Sequence, residues 1–264
     1  MTWDPGQYLR FDDLRTRPAL DLIGRIPSIE PSAVWDLGCG TGAITHSLSL
    51  RWPHAAVRGL DSSPQMLDRA REYGDIEWAC GEIETWSPDQ PVDVLFSNAA
   101  LHWVGDHESL FPRLFEFVAS GGVFAVQMPR NHHEPSHQVL YDLARTHRWA
   151  DRLGDLVIED PVSTPSAYYE MLGSEAQSLD VWETIYQQSL QEPDAVAHWA
   201  KGSVMRPYLE ALGSDADAFF DEYADALRPL YPQRGDGATL FPFRRLFIVA
   251  RRRNPSVPRS YHRS

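Results

Sequence analysis

The chain has 264 residues, 43% hydrophobic and 23% charged, enough for one core of ordinary size plus an insertion or cap. Its 37 acidic and 24 basic residues leave a formal charge of −13, which disfavours sequence-independent binding to nucleic acid or to an anionic membrane. No apolar run approaches the roughly 20 residues that cross a bilayer, and the first residues carry no apolar targeting core. Cys39 and Cys80 are too few for a disulfide scaffold and form no metal-binding pattern. Composition therefore predicts a soluble, cytoplasmic protein that needs neither metal, nucleic acid nor membrane. Lys201 is the only lysine, so the remaining cations are guanidinium groups, suited to two-point recognition of carboxylates.

In chain order, 33–37 is an apolar run that reads as a buried strand, and it enters the loop Gly38-Cys39-Gly40-Thr41-Gly42. A helix follows, with Thr41 as the expected N-cap and Ile44, Leu48 and Trp52 on one face. Residues 56–61 read as a second strand. Ser62-Ser63-Pro64 then opens a helix that carries Leu67, Ala70 and Tyr73. Strands are predicted at 76–80, 92–97 and 122–128, with a helix over 108–117. This alternation implies βαβ units and a parallel sheet covered on both faces.

After Met128 the pattern changes to a polar, His- and Pro-rich stretch with helical patches at 138–149 and 165–172. Residues 181–190 read as a strand, 194–212 and 216–231 as helices, and 245–250 as a last apolar strand. Phe219, Phe220, Tyr223, Leu227 and Leu230 are spaced as one helix face, which predicts core rather than a cofactor site. The tail from Arg251 to Ser264 carries five arginines among Pro and Ser and reads as disordered. The expected division is a 1–30 cap segment, a 31–128 core, a 129–178 cap insertion, 179–253 with edge strands and a helical insertion at 194–231, and a 254–264 tail.

Chemistry concentrates in Asp36-Leu37-Gly38-Cys39-Gly40-Thr41-Gly42, between a strand and a helix. Small residues there let the backbone turn tightly and approach a ligand at the helix N-terminus. Asp61 ends the next strand, where a carboxylate can take both hydroxyls of a ribose. The spacing G-x-G-x-G is not that of a pyrophosphate-binding turn, and no Lys-Ser/Thr follows to make a phosphate-cradling loop.

With Gly81-Glu82-Ile83 after the third strand and Ser97-Asn98-Ala99-Ala100-Leu101-His102-Trp103 after the fourth, the sequence resembles the class I S-adenosylmethionine-dependent methyltransferases. That resemblance implies an α/β fold with a Rossmann-like, seven-stranded, mostly parallel sheet, helices on both faces and a helical cap. It also implies S-adenosylmethionine as cofactor and S-adenosylhomocysteine as product. In it Asp36 serves the methionine part, 81–83 the adenine and 97–103 the region of the methyl group. Cofactor contacts are expected from Tyr8, Arg17, Asp36, Gly38, Cys39, Gly40, Asp61, Ser62, Met66, Gly81, Glu82, Ile83, Ser97, Asn98, Ala99, His102 and Trp103.

Segments along nearly the whole chain, among them Trp3-Asp4-Pro5, Arg15-Thr16-Arg17-Pro18, Val126-Gln127-Met128-Pro129, Ala167-Tyr168-Tyr169, Arg206-Pro207-Tyr208-Leu209 and Phe241-Pro242, are similar to the trans-aconitate 2-methyltransferases. That family's reaction is esterification of one carboxylate of a tricarboxylic acid, which implies a small-molecule partner. A carboxylate is ionised at neutral pH, so no catalytic base is required. His102 is the candidate base for a hydroxyl or amine acceptor instead. The expected acid-binding residues are Arg206, Arg244, Arg245, Arg130, Tyr168 and Tyr208, with His132 and His133 as further candidates. A small-molecule O- or N-methyltransferase with another acceptor, and an idle binding protein for the cofactor, remain the alternatives.

Overall fold

The computed structural model describes residues 12–254. Seven strands form one sheet in the order β3-β2-β1-β4-β5-β7-β6. They are β1 (Ala33–Leu37), β2 (Ala56–Asp61), β3 (Glu77–Cys80), β4 (Val92–Asn98), β5 (Val118–Pro129), β6 (Ala176–Leu190) and β7 (Thr239–Arg252). The pairings β1–β2, β1–β4, β2–β3 and β4–β5 are all parallel, as the alternation of strand and helix predicts. The sequence order reverses between β1 and β4, and open α/β sheets bind ligands outside the carboxyl ends of their strands at such a point.

The helices of the first half are α1 (Asp12–Arg25), α2 (Ala43–Arg51), α3 (Pro64–Ala70) and α4 (His107–Glu116). Thr41 does not cap α2. Gly42 takes that position with φ +82, and no side chain caps the helix, because the glycine loop must turn through left-handed backbone before the helix starts. Only Leu48 and Trp52 of the expected apolar face are fully buried. Ser63 caps α3 by accepting from the Met66 N–H, and Leu67 and Ala70 are buried beneath it, whereas Tyr73 is exposed and stacks on His46.

The chain forms two compact units. The core unit includes Thr16–Pro129, Val162–Thr184 and 246–254. Its buried cluster joins Leu37, Leu95, Phe124 and Met128 of the sheet to Phe111 and Leu114 of α4 and to Ile248 of β7. The helix Pro165–Gly173, here α7, belongs to this unit although its sequence suggests a cap insertion. Tyr168 and Leu172 of α7 enter the cluster, and full burial of each large apolar side chain contributes about 1.5–3 kcal/mol.

The second unit includes Arg130–Pro161 and Ile185–Arg245. It contains α5 (Pro135–Ala144), α6 (Ala150–Leu153), α8 (Ala195–Lys201), α9 (Arg206–Leu212) and α10 (Ala216–Leu227). The single helix expected over 194–212 is two, α8 and α9, because Gly202 ends the first and Pro207 fits only a first turn. Phe219, Tyr223 and Leu227 of α10 are buried, while Leu230 lies beyond the helix and is exposed. Trp199 of α8 packs at 5.0 Å and 4.8 Å against the rings of Phe241 and Phe243.

Candidate active site

The loop after β1 is held to β2 by two N–H groups, of Gly38 and Cys39, that donate to the Leu60 carbonyl over 2.8 and 2.9 Å. Gly38, Gly40 and Gly42 all have left-handed φ, +72, +55 and +82. A Cβ on Gly42 would collide with Trp78 at 2.6 Å, so this glycine is demanded by packing as well as by conformation. A Cβ on Gly40 would meet nothing within 4 Å. The loop therefore presents bare backbone to open space at Gly40, as close approach to a ligand requires.

Two carboxylates flank this loop. Asp61 Oδ2 accepts from the Gly40 N–H at 2.8 Å and Oδ1 from the Ser63 N–H at 2.9 Å, so the carboxylate is aimed along the loop edge with lone pairs left for further donors. Asp36 is 2% exposed and accepts from the Thr45 hydroxyl at 2.6 Å. Burial pushes its carboxyl up to about 7, the Thr45 hydrogen bond opposes this, and the Asp61 charge adds to it. The Cys39 thiol between them is pushed up by burial and by both acids, which keeps it protonated and removes it as a nucleophile.

The carboxyl ends of β3 and β4 lie at the same edge of the parallel sheet. Gly81 N–H donates to the Asp61 carbonyl at 3.2 Å, Ile83 is buried, and Glu82 and Ser62 are exposed. Met66 is half-buried at the start of α3. Ser97 is fully buried and donates to the Leu37 carbonyl at 2.8 Å, so its hydroxyl braces β4 against β1 rather than standing open to a ligand. Ala99 holds φ +53, a strained conformation for a residue with a Cβ, and its N–H donates to the Gln127 carbonyl at 2.8 Å. His102 is half-buried, with its ring 4.6 Å from that of Trp103, which is 65% exposed. Arg17 is exposed and lies 3.9 Å from Asp21 on α1. Tyr8 lies outside the described residues.

Among the residues expected to bind the acid, Tyr168 belongs elsewhere. It is wholly buried, and its hydroxyl lies 2.6 Å from His107 Nδ1 and accepts from the Ser163 N–H at 3.1 Å. The other His107 nitrogen, Nε2, lies 2.9 Å from the Leu101 carbonyl, which can only accept, so Nε2 carries the proton of the neutral ring and the Tyr168 hydroxyl donates to Nδ1. Tyr168 is thus part of the core. Tyr208 is buried in the second unit and donates to the Leu156 carbonyl at 3.0 Å.

The second unit brings Arg130 and Arg244 together, the Arg130 N–H donating to the Arg244 carbonyl at 3.0 Å. The Arg244 side chain reaches Glu134 at 3.2 Å, and the half-exposed Arg206 reaches Glu210 at 2.9 Å within α9. Arg245 differs from these: it is 4% exposed, and its guanidinium carbon lies 3.9 Å from the centre of the Phe243 ring. His133 is exposed and 2.8 Å from Asp160. Burial drives His132 down to about 4, with the neighbouring His133 adding to the effect, so it is a neutral ring. Asn131, beside it, is 1% exposed, with both side-chain polar atoms unpartnered among the described residues. Asn131 and Gln127 are not among the site residues read from the sequence; the amide inside the apolar run 123–128 is the signal that could have singled out Gln127, whereas the polar stretch around Asn131 carries none.

A seven-stranded sheet of this order, bare glycine backbone after β1 and a carboxylate ending β2 define a class I methyltransferase, whose cofactor is S-adenosylmethionine. Residues 34–122 match the family model of a methyltransferase domain. Among solved structures, the YcgJ protein of Bacillus subtilis is similar with TM-score 0.59 and 15% identity, covering 90% of this chain and 99% of that one. Phosphoethanolamine N-methyltransferase 2 of Haemonchus contortus, solved with S-adenosylhomocysteine, has TM-score 0.54 and 13% identity, over 90% of this chain and 53% of that one. These two likenesses are of fold alone. Closer in sequence, the trans-aconitate 2-methyltransferase of Streptomyces coelicolor is 46% identical, over 95% of this chain and 87% of its own. That of Azoarcus sp. is 43% identical, over 94% and 98%. The chain belongs to the trans-aconitate 2-methyltransferase family.

Proposed function

We propose that this protein transfers a methyl group from S-adenosylmethionine to one carboxylate of trans-aconitate, giving the monomethyl ester and S-adenosylhomocysteine. The observation that carries this reading is that 46% identity to a relative of that name runs over 95% of the chain, the second unit included, rather than over the cofactor loop alone.

S-adenosylmethionine, when bound, supplies an electrophilic methyl group. Asp61 would take the ribose hydroxyls with the lone pairs that Gly40 and Ser63 leave free, and Asp36 the methionine end. Gly81, Glu82 and Ile83 are proposed for the adenine, and Asn98, Ala99, His102 and Trp103 for the region of the methyl group. For a carboxylate acceptor the protein need not move a proton; it must hold the reacting oxygen in line with the methyl carbon, and orientation of this kind can lower a barrier by roughly 7–11 kcal/mol. A polyanion approaching a protein of charge −13 needs local cations. Arg245 is our first choice, because its guanidinium is buried, and a charge-assisted bond to a carboxylate is stronger in dry surroundings than at the surface. Arg206, Arg244 and Arg130 follow it. We place the protein in the cytoplasm, a reading that the free thiols of Cys39 and Cys80 support. Among the described residues, no helix is long and apolar enough to cross a membrane.

The test is methyl transfer from labelled S-adenosylmethionine to trans-aconitate, cis-aconitate, citrate and isocitrate. A base-labile labelled ester formed fastest from trans-aconitate is the expected result. Cofactor binding with no acid labelled would overturn the acceptor and turn the search to hydroxyl and amine substrates, with His102 as the base to mutate.

A further inference from the structure

Asn98 and Gln127 are direct partners in the parallel register of β4 and β5, at the carboxyl ends of both strands. Alternation along the strands places them on one face of the sheet. Leu95, Phe124, Val126 and Met128 point to the opposite face and enter the cluster with α4. Gln127 interrupts an otherwise apolar run, Val123-Phe124-Ala125-Val126-Gln127-Met128, and is 1% exposed. Both its side-chain Oε1 and Nε2 lack a hydrogen-bond partner among the described residues, and so does Asn98 Oδ1.

A buried amide left in this state costs stability, and an apolar residue of the same size would remove the cost. The backbone around it is tightly specified: the Gln127 carbonyl accepts from the N–H of Ala99, itself held at φ +53. The loop after β4 is thus locked onto Gln127 while the Gln127 side chain is left for something else. Strained backbone next to an unsatisfied buried amide, at the end of the sheet where this fold works, marks a ligand contact.

We propose that Gln127 holds the carboxylate that is methylated, its Nε2–H donating to one carboxylate oxygen. This deepens the proposed function and rests on it. The two amide oxygens, Asn98 Oδ1 and Gln127 Oε1, repel a second carboxylate oxygen, so one oxygen is held and the other stays available. A neutral donor suits the reaction better than a guanidinium would: two charge-assisted bonds would engage both oxygens and draw electron density from the one that must attack. In the transfer a lone pair of the free oxygen forms the new O–C bond as the S–C bond breaks with its pair on sulfur. The acid loses one negative charge, the sulfonium its positive charge, and no proton moves.

The experiment compares wild type, Gln127→Leu and Gln127→Glu, with trans-aconitate as acceptor and calorimetry for S-adenosylmethionine. For Gln127→Leu the expected result is a KM for trans-aconitate at least tenfold higher, a cofactor Kd within twofold of wild type, and a melting temperature no lower than wild type. Gln127→Glu is expected to lose more near neutral pH and to recover in part as the pH falls, because a protonated carboxyl regains a donor while a charged one repels the acid. A purely structural role would show instead as a melting temperature that falls in Gln127→Glu and recovers as the pH is lowered, with the KM for trans-aconitate unmoved. An unchanged KM in Gln127→Leu overturns the inference, as does a loss of cofactor affinity that accounts for the whole defect. Wild type that labels none of the acids overturns the carboxylate reaction itself and this inference with it. An active wild type beside an unimpaired Gln127→Leu overturns the inference alone.

Discussion

A methyl group on Gly38 would lie 2.1 Å from the Cβ of Ala100, so the loop after β1 and the loop after β4 are fitted to one another at van der Waals contact through this glycine. Gly40, two residues on, has a similar left-handed φ but open space where its Cβ would be. Gly38→Ala should therefore suffer both backbone strain and a clash that only movement of the Ala100 backbone relieves, whereas Gly40→Ala should suffer strain alone, about 1–2 kcal/mol. The expected order of thermal stability is wild type, Gly40→Ala, Gly38→Ala. Equal melting temperatures for the two variants would show that the loops are not coupled at Gly38.

Asp61 binds two backbone N–H groups in addition to its proposed ribose contacts. Hydrogen bonds to charged groups are worth about 1.5–3 kcal/mol each, so Asp61→Ala should weaken cofactor binding by at least about tenfold. Asp61→Asn keeps the shape but turns one acceptor into a donor and should lose nearly as much. Calorimetric titration with S-adenosylhomocysteine decides it, and an unaltered Kd in Asp61→Ala would remove the residue from the ribose role.

Asp36 is expected to make cofactor binding depend on pH. Its carboxyl is raised from 3.8 to about 7 by burial, so the folded protein retains a proton that the unfolded chain releases. This group therefore costs no stability below the lower value, and an increasing amount as the pH rises toward the upper one. A cationic methionine end nearby would favour the charged carboxylate and expel the proton. Cofactor affinity is then expected to fall below neutrality, by at most about tenfold per pH unit. Calorimetry near pH 6 in buffers of different ionisation enthalpy should detect nearly one proton released, and none in Asp36→Asn. The same proton release in both would separate Asp36 from the effect.

Among the arginines, Arg245→Met should raise the KM for the acid more than Arg206→Ala. Arg245 is buried against Phe243, whereas Arg206 is half-exposed and shares its charge with Glu210. Both variants should bind the cofactor normally. Steady-state kinetics with trans-aconitate checks the ranking, and the reverse order would move acid recognition to α9.

Tyr168→Phe tests the opposite kind of residue. It removes the hydroxyl shared by His107 and the Ser163 N–H in the core, leaving buried groups unpaired at a cost of about 1–3 kcal/mol. A lower melting temperature with an unaltered KM is expected; a KM effect larger than the stability loss explains would return Tyr168 to the site. Burial also lowers the His107 pKa, so the unfolded chain takes up a proton more readily at His107 than the folded protein does. Its contribution to stability is present above the ordinary histidine range and is lost as the pH falls below it.

Much of the core was legible because its signals are local. The apolar run of β1, the glycines after it and Asp61 at the end of β2 each declare themselves within a few residues, and alternation of strand and helix then implies the parallel sheet. Thr41 misled because N-cap preference is a weak local bias, overridden where Gly42 must turn the backbone left-handed. Tyr168 misled because an aromatic beside Pro165 on a short helix reads alike whether it closes a site or fills a core.

By itself the sequence determined the class of fold, the glycine-rich loop after β1 and the chemistry available to it, since these rest on strand periodicity, glycine conformation and the positions of two carboxylates along the chain. Only the tertiary structure decided which polar groups are buried and which of them have partners. It drew α7 into the core through Tyr168 and His107, distinguished the buried Arg245 from the half-exposed Arg206 and Arg244, and left Gln127 opposite Asn98 with its amide unsatisfied among the described residues. Burial and hydrogen bonding are properties of neighbours far apart in the chain, and no local pattern of residues encodes them.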